Sequence, residues 1–160
     1  MSDCNTFVPH LVVSNAAAAI EFYKSAFGAE ELARVPAPNS KKLMHALLAI
    51  NGGRMILNDD FSAEMGEKPT TPEALGGSPV TLHLQVRDAN AAWKRAVGAG
   101  ATVVFPLKDQ FWGDRYGIVR DPFGHKWSIA QTIAKPSTEE MEKGARESFQ
   151  HARERTAVHA

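Results

Sequence analysis

The chain has 160 residues, 44% hydrophobic and 22% charged, and its 18 basic residues balance its 18 acidic ones. This size and composition suit one globular domain, and the zero net charge argues against a broad basic face for nucleic acid. No stretch approaches the ~18 consecutive apolar residues of a membrane span. The first residues lack a secretion pattern and the lone Cys4 fits a reducing compartment, so we expect a cytoplasmic protein.

The first third of the chain has the pattern of a strand, a helix and three more strands. The predicted elements are a strand over 7–14, a helix over 16–27 and strands over 30–35, 43–50 and 54–58. Asn15 is a predicted helix N-cap and Gly28 a helix stop. The turn Asn51-Gly52-Gly53 predicts a tight hairpin between the last two strands.

Residues 59–78 are acidic, rich in proline and glycine, and without periodicity, which is typical of a connector or a mobile flap. After them the same order of elements returns. The predicted elements are a strand over 80–86, a helix over 89–97 capped by Asp88, and strands over 102–105, 115–120 and 126–131.

The two halves align at an offset of 73 residues. Residues 10–15 lie over residues 83–88, and residues 18–20 lie over residues 91–93. Such a repeat indicates duplicated supersecondary units packed with pseudo-symmetry, although a few matches between two strand-helix segments could arise by chance. The repeat predicts an α+β fold of two βαβββ modules that face each other across a shared cavity.

We expect a single domain over residues 1–135, with a helical tail over residues 136–160. Within the domain, module one covers about 6–60, the connector 61–78 and module two about 79–133.

The tail is predicted to be a helix from about residue 138 to residue 155, because Ser137 and Glu140 form a capping box. It is highly charged, and a thin apolar stripe follows one side of it: Met141, Ala145, Phe149 and Ala152. A second subunit that covers Phe149 is the simplest arrangement, so we expect a homodimer. Alternatively, Phe149 folds back onto its own domain and the tail shields a sheet edge.

His10 and His83 stand in the middle of predicted strands, and the repeat makes them equivalent. If the modules face each other, both imidazoles reach one cavity. Two imidazoles can begin a site for Zn, Fe, Ni or Mn, which needs a third and usually a fourth ligand. The alternative is two unrelated histidines, each hydrogen-bonded at a strand end.

The carboxylates that would complete a metal site are missing. The last strand offers Ser128 where an inward acid is needed, and its counterpart near Ile56 offers only hydrocarbon. Asp59 and Asp60 follow that strand and are expected to be solvated at the cavity mouth. We therefore expect no tightly bound metal, and any divalent metal that does bind would use His10 and His83.

Residues 110–117 combine aromatic rings, charges and glycines. Trp112 and Tyr116 can form apolar walls with polar tips, and Arg115 can clamp a carboxylate or phosphate. The alternative is an ordinary loop in which Asp114 and Arg115 pair at the surface.

Two further histidines are weaker candidates. His45 begins a strand and could point into the same cavity, although a hydrogen-bonded structural role is the commoner explanation. His125 follows a turn and is expected to be exposed.

Several segments together resemble the glyoxalase/bleomycin-resistance/dioxygenase (vicinal oxygen chelate) superfamily, and more narrowly its PhnB-like branch. The resemblance covers about residues 6–133. It is carried by residues 8–13 and 19–30, His45-Ala46, and residues 112–117 and 121–127. It implies paired βαβββ modules that close a curved mixed sheet.

The resemblance implies two classes of function. Enzymes of this superfamily include glyoxalases, epimerases, ring-cleaving dioxygenases and thiol transferases, and they typically bind a divalent metal through the first and last strands of each module. His10 and His83 match two of those four positions, whereas Ser128 and the neighbourhood of Ile56 depart from the acidic ones. Bleomycin-binding members sequester a ligand without a metal. We expect such a small-molecule binder, its cavity lined by His10, His45, His83, Trp112, Arg115, Tyr116 and Ser128; the alternative is a metal-dependent lyase, isomerase or dioxygenase.

Overall fold

The computed structural model describes residues 7–157. The elements over this range, in chain order, are β1 (His10–Val13), α1 (Ala16–Phe27), β2 (Glu30–Pro36), β3 (Leu43–Ile50), β4 (Gly53–Asp59), α2 (Ser62–Met65), β5 (Thr81–Gln85), α3 (Ala89–Gly98), β6 (Thr102–Asp109), β7 (Asp114–Arg120), β8 (Lys126–Thr132) and α4 (Thr138–Ala157). Within residues 7–157, no helix is long and apolar enough to cross a membrane.

The strands form two four-stranded mixed sheets with the same topology. The first sheet has the order β1-β4-β3-β2 and the second has the order β5-β8-β7-β6. In each sheet the first strand pairs with the last strand of its module in parallel, and the other pairs are antiparallel. The predicted fold of two βαβββ modules and a C-terminal helix is therefore confirmed; the domain boundary near residue 135 stays a prediction.

Equivalent hydrogen bonds start the main helix of each module. The side chain of Asn15 accepts from the backbone N–H of Ala18 at 3.0 Å, and the side chain of Asp88 accepts from Ala91 N–H at 3.0 Å. These are the two N-caps that the aligned sequences predict. The hairpin turn is also as predicted, because Asn51 and Gly52 both have positive φ, of 47° and 80°.

The environment of Asp59 differs from the one expected from the sequence. Instead of being solvated at a cavity mouth, its carboxylate is buried and accepts from the backbone N–H of Ala16 at 2.8 Å and of Leu43 at 2.6 Å. At the start of α1 the negative charge is also favoured by the helix dipole. Gln131 has the equivalent role in module two, because its side-chain oxygen accepts a hydrogen bond from the backbone N–H of Ala89 at 3.0 Å.

The connector is more structured than its composition suggests. It contains the short helix α2, and Thr71 and Pro72 are buried. Pro72 lies against the turn before β8, since a Cβ on Gly124 would come within 2.8 Å of Pro72 Cβ. Asp60 accepts from the backbone N–H groups of Ser62 and Thr70, both at 2.8 Å. A side-chain hydrogen bond from Ser62, followed by these backbone bonds, lowers the pKa of its carboxyl group.

The core extends from the first module into the second. One face of the first sheet packs on α1 through buried side chains such as Ile20, Leu48 and Leu57. The same helix contacts the second sheet, because the ring centroids of Phe27 and Trp127 lie 4.5 Å apart and those of Tyr23 and Trp127 lie 5.3 Å apart. Each sheet thus buries the face toward the helices, which directs its other face outward.

Asp121 joins the two modules at this contact. Its buried carboxylate accepts hydrogen bonds from the Tyr23 hydroxyl at 2.7 Å, from Trp127 Nε1 at 2.9 Å and from the backbone N–H groups of Phe123 and His125, both at 2.9 Å. Burial, and to a lesser degree the Asp121 charge, raise the pKa of Tyr23 well above its ordinary value. Tyr23 therefore stays a hydrogen-bond donor at every physiological pH.

Candidate functional site

The first candidate histidine lies on the open face of the first sheet. His10 is adjacent to Ile56 in the parallel register, and its Nε2 lies 2.5 Å from Asn58 Oδ1. His45 is on this face too, because its neighbour Ala46 pairs with Leu57 and both are buried on the opposite face. Asn58 was not predicted, although its position two residues after Ile56 places it on the same face.

The second histidine occupies the equivalent position in the second sheet. His83 is adjacent to Ser128 in the register, and its Nδ1 lies 2.8 Å from Ser128 Oγ. Its Nε2 lies 3.0 Å from Gln85 Oε1, and the Gln85 amide donates to Thr132 Oγ1 at 2.9 Å. Both ring nitrogens of His83 are thus engaged by uncharged groups.

His10 on β1 and His83 on β5 line one pocket of about 420 Å³. Pro9 and Leu11 on one side and Val80 and Leu82 on the other give it apolar walls. The two equivalent histidines, one from each module, therefore line the same pocket. That this pocket takes a ligand stays a prediction.

His125 also lines this pocket, contrary to the expectation that it is exposed. Its side chain is half-buried, and its Nε2 lies 3.1 Å from the backbone oxygen of Val12 in the other module. The turn that precedes it gave no signal of this contact, because the partner is 113 residues away in sequence.

The predicted aromatic residues adjoin His83 but do not line the pocket. The ring of Tyr116 is nearly parallel to the imidazole of His83, with centroids 6.4 Å apart. The Trp112 ring meets the Tyr116 ring edge-on with centroids 5.5 Å apart, and the Phe105 centroid lies 6.4 Å from that of Tyr116. These rings form a continuous aromatic surface on the open face of the second sheet, next to His83.

Arg115 does not line the pocket, and its guanidinium is paired with an acidic side chain. Its guanidinium forms a two-pronged ion pair with Asp109, with Nε–Oδ1 at 2.7 Å and Nη2–Oδ2 at 3.1 Å. These hydrogen bonds lower the pKa of the Asp109 carboxyl group and raise the pKa of Arg115. The partner is therefore Asp109 on β6 rather than the neighbouring Asp114, and the guanidinium already holds a carboxylate.

The side chains around the two histidines do not fit a metal ion. The strand positions beside His10 and His83 carry a hydrocarbon, Ile56, and a buried hydroxyl, Ser128, where carboxylates would be required. Over residues 7–157, no three His, Cys, Asp or Glu side chains are arranged to hold a metal. The imidazoles are instead hydrogen-bonded to uncharged side chains, His10 to Asn58 and His83 to Ser128 and Gln85.

Several known proteins are similar to this chain in sequence or in fold. An uncharacterized protein of Mycobacterium tuberculosis is 55% identical over 134 residues, which are 84% of this chain and 78% of the relative. The crystal structure of TioX from Micromonospora sp. ML1 has a TM-score of 0.63 at 29% identity and covers 81% of this chain and 99% of TioX. A PhnB protein of Bacillus cereus, at 16% identity, shares the fold with a TM-score of 0.61 over 79% of this chain and 99% of its own.

The family model of the glyoxalase/bleomycin resistance protein/dioxygenase superfamily matches residues 5–129. The matched part contains β1 to β7, most of β8, and the pocket with its three histidines. The helix α4 lies beyond it. The chain belongs to the glyoxalase/bleomycin resistance protein/dioxygenase superfamily.

Proposed function

We propose that the protein binds a small molecule in the pocket between its two modules and does so without a tightly held metal. One observation carries the proposal: the equivalent histidines His10 and His83 line the same pocket, and each imidazole has uncharged partners in place of acids. Sequestration of a ligand requires shape complementarity and hydrogen bonds, and it requires no metal.

The pocket favours a ligand with an apolar body and a hydrogen-bonding group. Its volume of about 420 Å³ lies within the ~300–1,000 Å³ of typical small-molecule sites. The aliphatic walls would bury the apolar part of the ligand. The Nδ1 atoms of His10 and His125, which have no hydrogen-bond partner among residues 7–157, would face its polar group, and the His83 ring, engaged through both nitrogens, would form part of the wall.

A ligand screen tests the proposal. Thermal unfolding of the metal-free protein is measured with several hundred small aromatic and heterocyclic compounds, and the affinity of each stabilising compound is then titrated. His10→Gln removes an imidazole hydrogen bond to the ligand, and His83→Gln removes a ring from the pocket wall. Each variant should weaken binding about tenfold, which corresponds to roughly 1.4 kcal/mol. His45→Gln is the matched control, because His45 is on an open sheet face but does not line the pocket. A screen without hits, or hits that bind both variants as tightly as the wild type, would contradict the proposal.

We also propose that the protein is a homodimer in which α4 contributes to the contact. Residues 146–154 of this helix are exposed, and the Phe149 side chain is 75% exposed. The open sheet faces carry further exposed apolar side chains, among them Val35 and Phe105. A second copy would remove these apolar groups from water.

Light scattering tests the assembly. The full chain is expected to have twice the mass of the 17.4 kDa monomer. Phe149→Lys should shift the population toward monomer, because it would place a charge in the contact, whereas Ser148→Lys on the adjacent position should not. A monomeric wild type would refute the dimer, and a Phe149→Lys protein that remains fully dimeric would exclude a role for Phe149.

A further inference from the structure

The loop before β7 is held in place by the segment that leads into α4. The carbonyl oxygen of Gly113 accepts from the backbone N–H groups of Ile133 at 2.8 Å and Ala134 at 3.0 Å. Gly113 has a φ of +96°, and a Cβ there would lie 2.4 Å from the oxygen of Ala134 and 2.6 Å from Pro136 Cδ. Only glycine therefore permits so close a crossing.

The helix α4 then contacts the same loop through a second glycine. A Cβ on Gly144 would come within 2.5 Å of Phe111 Cβ and within 2.8 Å of its Cγ. Glycine inside a helix destabilises it by about 1 kcal/mol relative to alanine, so a structural reason for Gly144 is expected. Close packing on Phe111 is such a reason. The start of α4 is itself fixed, because Glu140 N–H donates to Ser137 Oγ at 3.2 Å and Ser137 N–H donates to Glu140 Oε2 at 2.7 Å.

A series of ring contacts leads from this helix to the candidate site. Phe111 meets Trp112 edge-on with centroids 5.0 Å apart, Trp112 meets Tyr116 at 5.5 Å, and Tyr116 lies beside His83 at 6.4 Å. Edge-on and stacked rings fix each other's orientation, because their quadrupoles favour particular angles. The position of Phe111 against Gly144 thus influences the surface that adjoins His83.

We infer that the first turns of α4 position the aromatic surface that adjoins His83, with Gly144 and Phe111 as the positioning residues. This inference rests on the proposed function for its biological meaning, and it adds an element outside residues 5–129, the part shared with the superfamily. By setting the orientation of Trp112 and Tyr116, α4 determines which ligand shapes can lie against His83.

Gly144→Ala tests the inference, with Gly98→Ala as the matched control. Both glycines lie in helices, but a Cβ on Gly98 meets nothing within 4 Å. Two signals are measured without ligand: the fluorescence of Trp112, isolated by comparison with a Trp112→Phe protein, and the ring-proton NMR signals of His83. Gly144→Ala should move Trp112 emission to longer wavelength and shift the His83 ring-proton signals, and its His10 signals should match those of the wild type. The Gly98→Ala protein should give wild-type values for all of these signals.

Phe111→Leu is the second variant, because it removes the intervening ring and leaves the backbone of α4 unchanged. It should change the same two signals. Wild-type Trp112 emission and wild-type His83 signals in both variants would overturn the positioning role of α4. Changed signals in both, together with a ligand screen that gives no hits, would contradict the proposed function and leave the positioning role standing.

Discussion

Replacing Asp121 with alanine is expected to lower the free energy of unfolding by about 4 kcal/mol or more. The variant leaves four donors without their acceptor, two of them side chains in the buried contact between the modules. A buried donor that loses its partner costs roughly 1–3 kcal/mol. Four such penalties would sum to roughly 4–12 kcal/mol, and the expected loss is placed near the lower end because some of these donors would find water.

Urea denaturation of two further variants tests whether the loss of stability comes from the hydrogen bonds to the Asp121 carboxylate. Tyr23→Phe removes only one of the four donors and should lower the free energy of unfolding by about 1–2 kcal/mol. Asp121→Asn keeps one carbonyl oxygen and should fall between Tyr23→Phe and Asp121→Ala. A loss below 1 kcal/mol in Asp121→Ala would show that the carboxylate does not join the modules as described.

Gly117→Ala is expected to lower the free energy of unfolding by about 3 kcal/mol, at the upper end of the usual range for overpacking. A Cβ on Gly117 would lie 2.5 Å from Trp93 Cζ3 and 2.9 Å from the backbone N and Cα of Leu107. The indole is rigid and the Leu107 contacts are backbone atoms, so neither neighbour can move away easily. The variant would therefore push α3 away from β7 or distort β6.

The Gly98→Ala protein is again the control, and it should stay within about 1 kcal/mol of the wild type, since no atom opposes the added methyl group. The free energy of unfolding of both proteins is measured by chemical denaturation. The comparison requires that the two proteins have the same m-value. A Gly117→Ala protein as stable as the control would mean that α3 is not seated on β7 through Trp93.

The fold could be predicted largely from the sequence because its determinants are local and occur twice. Asn15 and Asp88 mark the helix starts, and Asn51 with Gly52 marks a hairpin turn, as the structure has them. The equivalence of His10 and His83 came from the repeat, and one pocket contains both.

The partners of the polar side chains could not be predicted, because they depend on contacts between residues far apart in sequence. His125 meets Val12 across 113 positions, and the pairing of Tyr23 with Asp121 spans 98. Arg115 was expected either to meet a ligand or to pair with Asp114. It pairs instead with Asp109, six residues earlier, at the end of the neighbouring strand β6. The sequence predicted that this strand ends at residue 105, so Asp109 was not expected to be part of the sheet.

The metal content of the protein tests the central claim most directly. The chain is purified without an affinity tag or chelator, dialysed, and analysed for zinc, nickel, iron and manganese by elemental mass spectrometry. We predict far less than one metal ion per chain, because His10 and His83 have Ile56 and Ser128 beside them in place of acids. One equivalent of any of these metals retained through dialysis, and lost in His10→Gln or His83→Gln, would contradict metal-free binding and favour a metal-dependent enzyme.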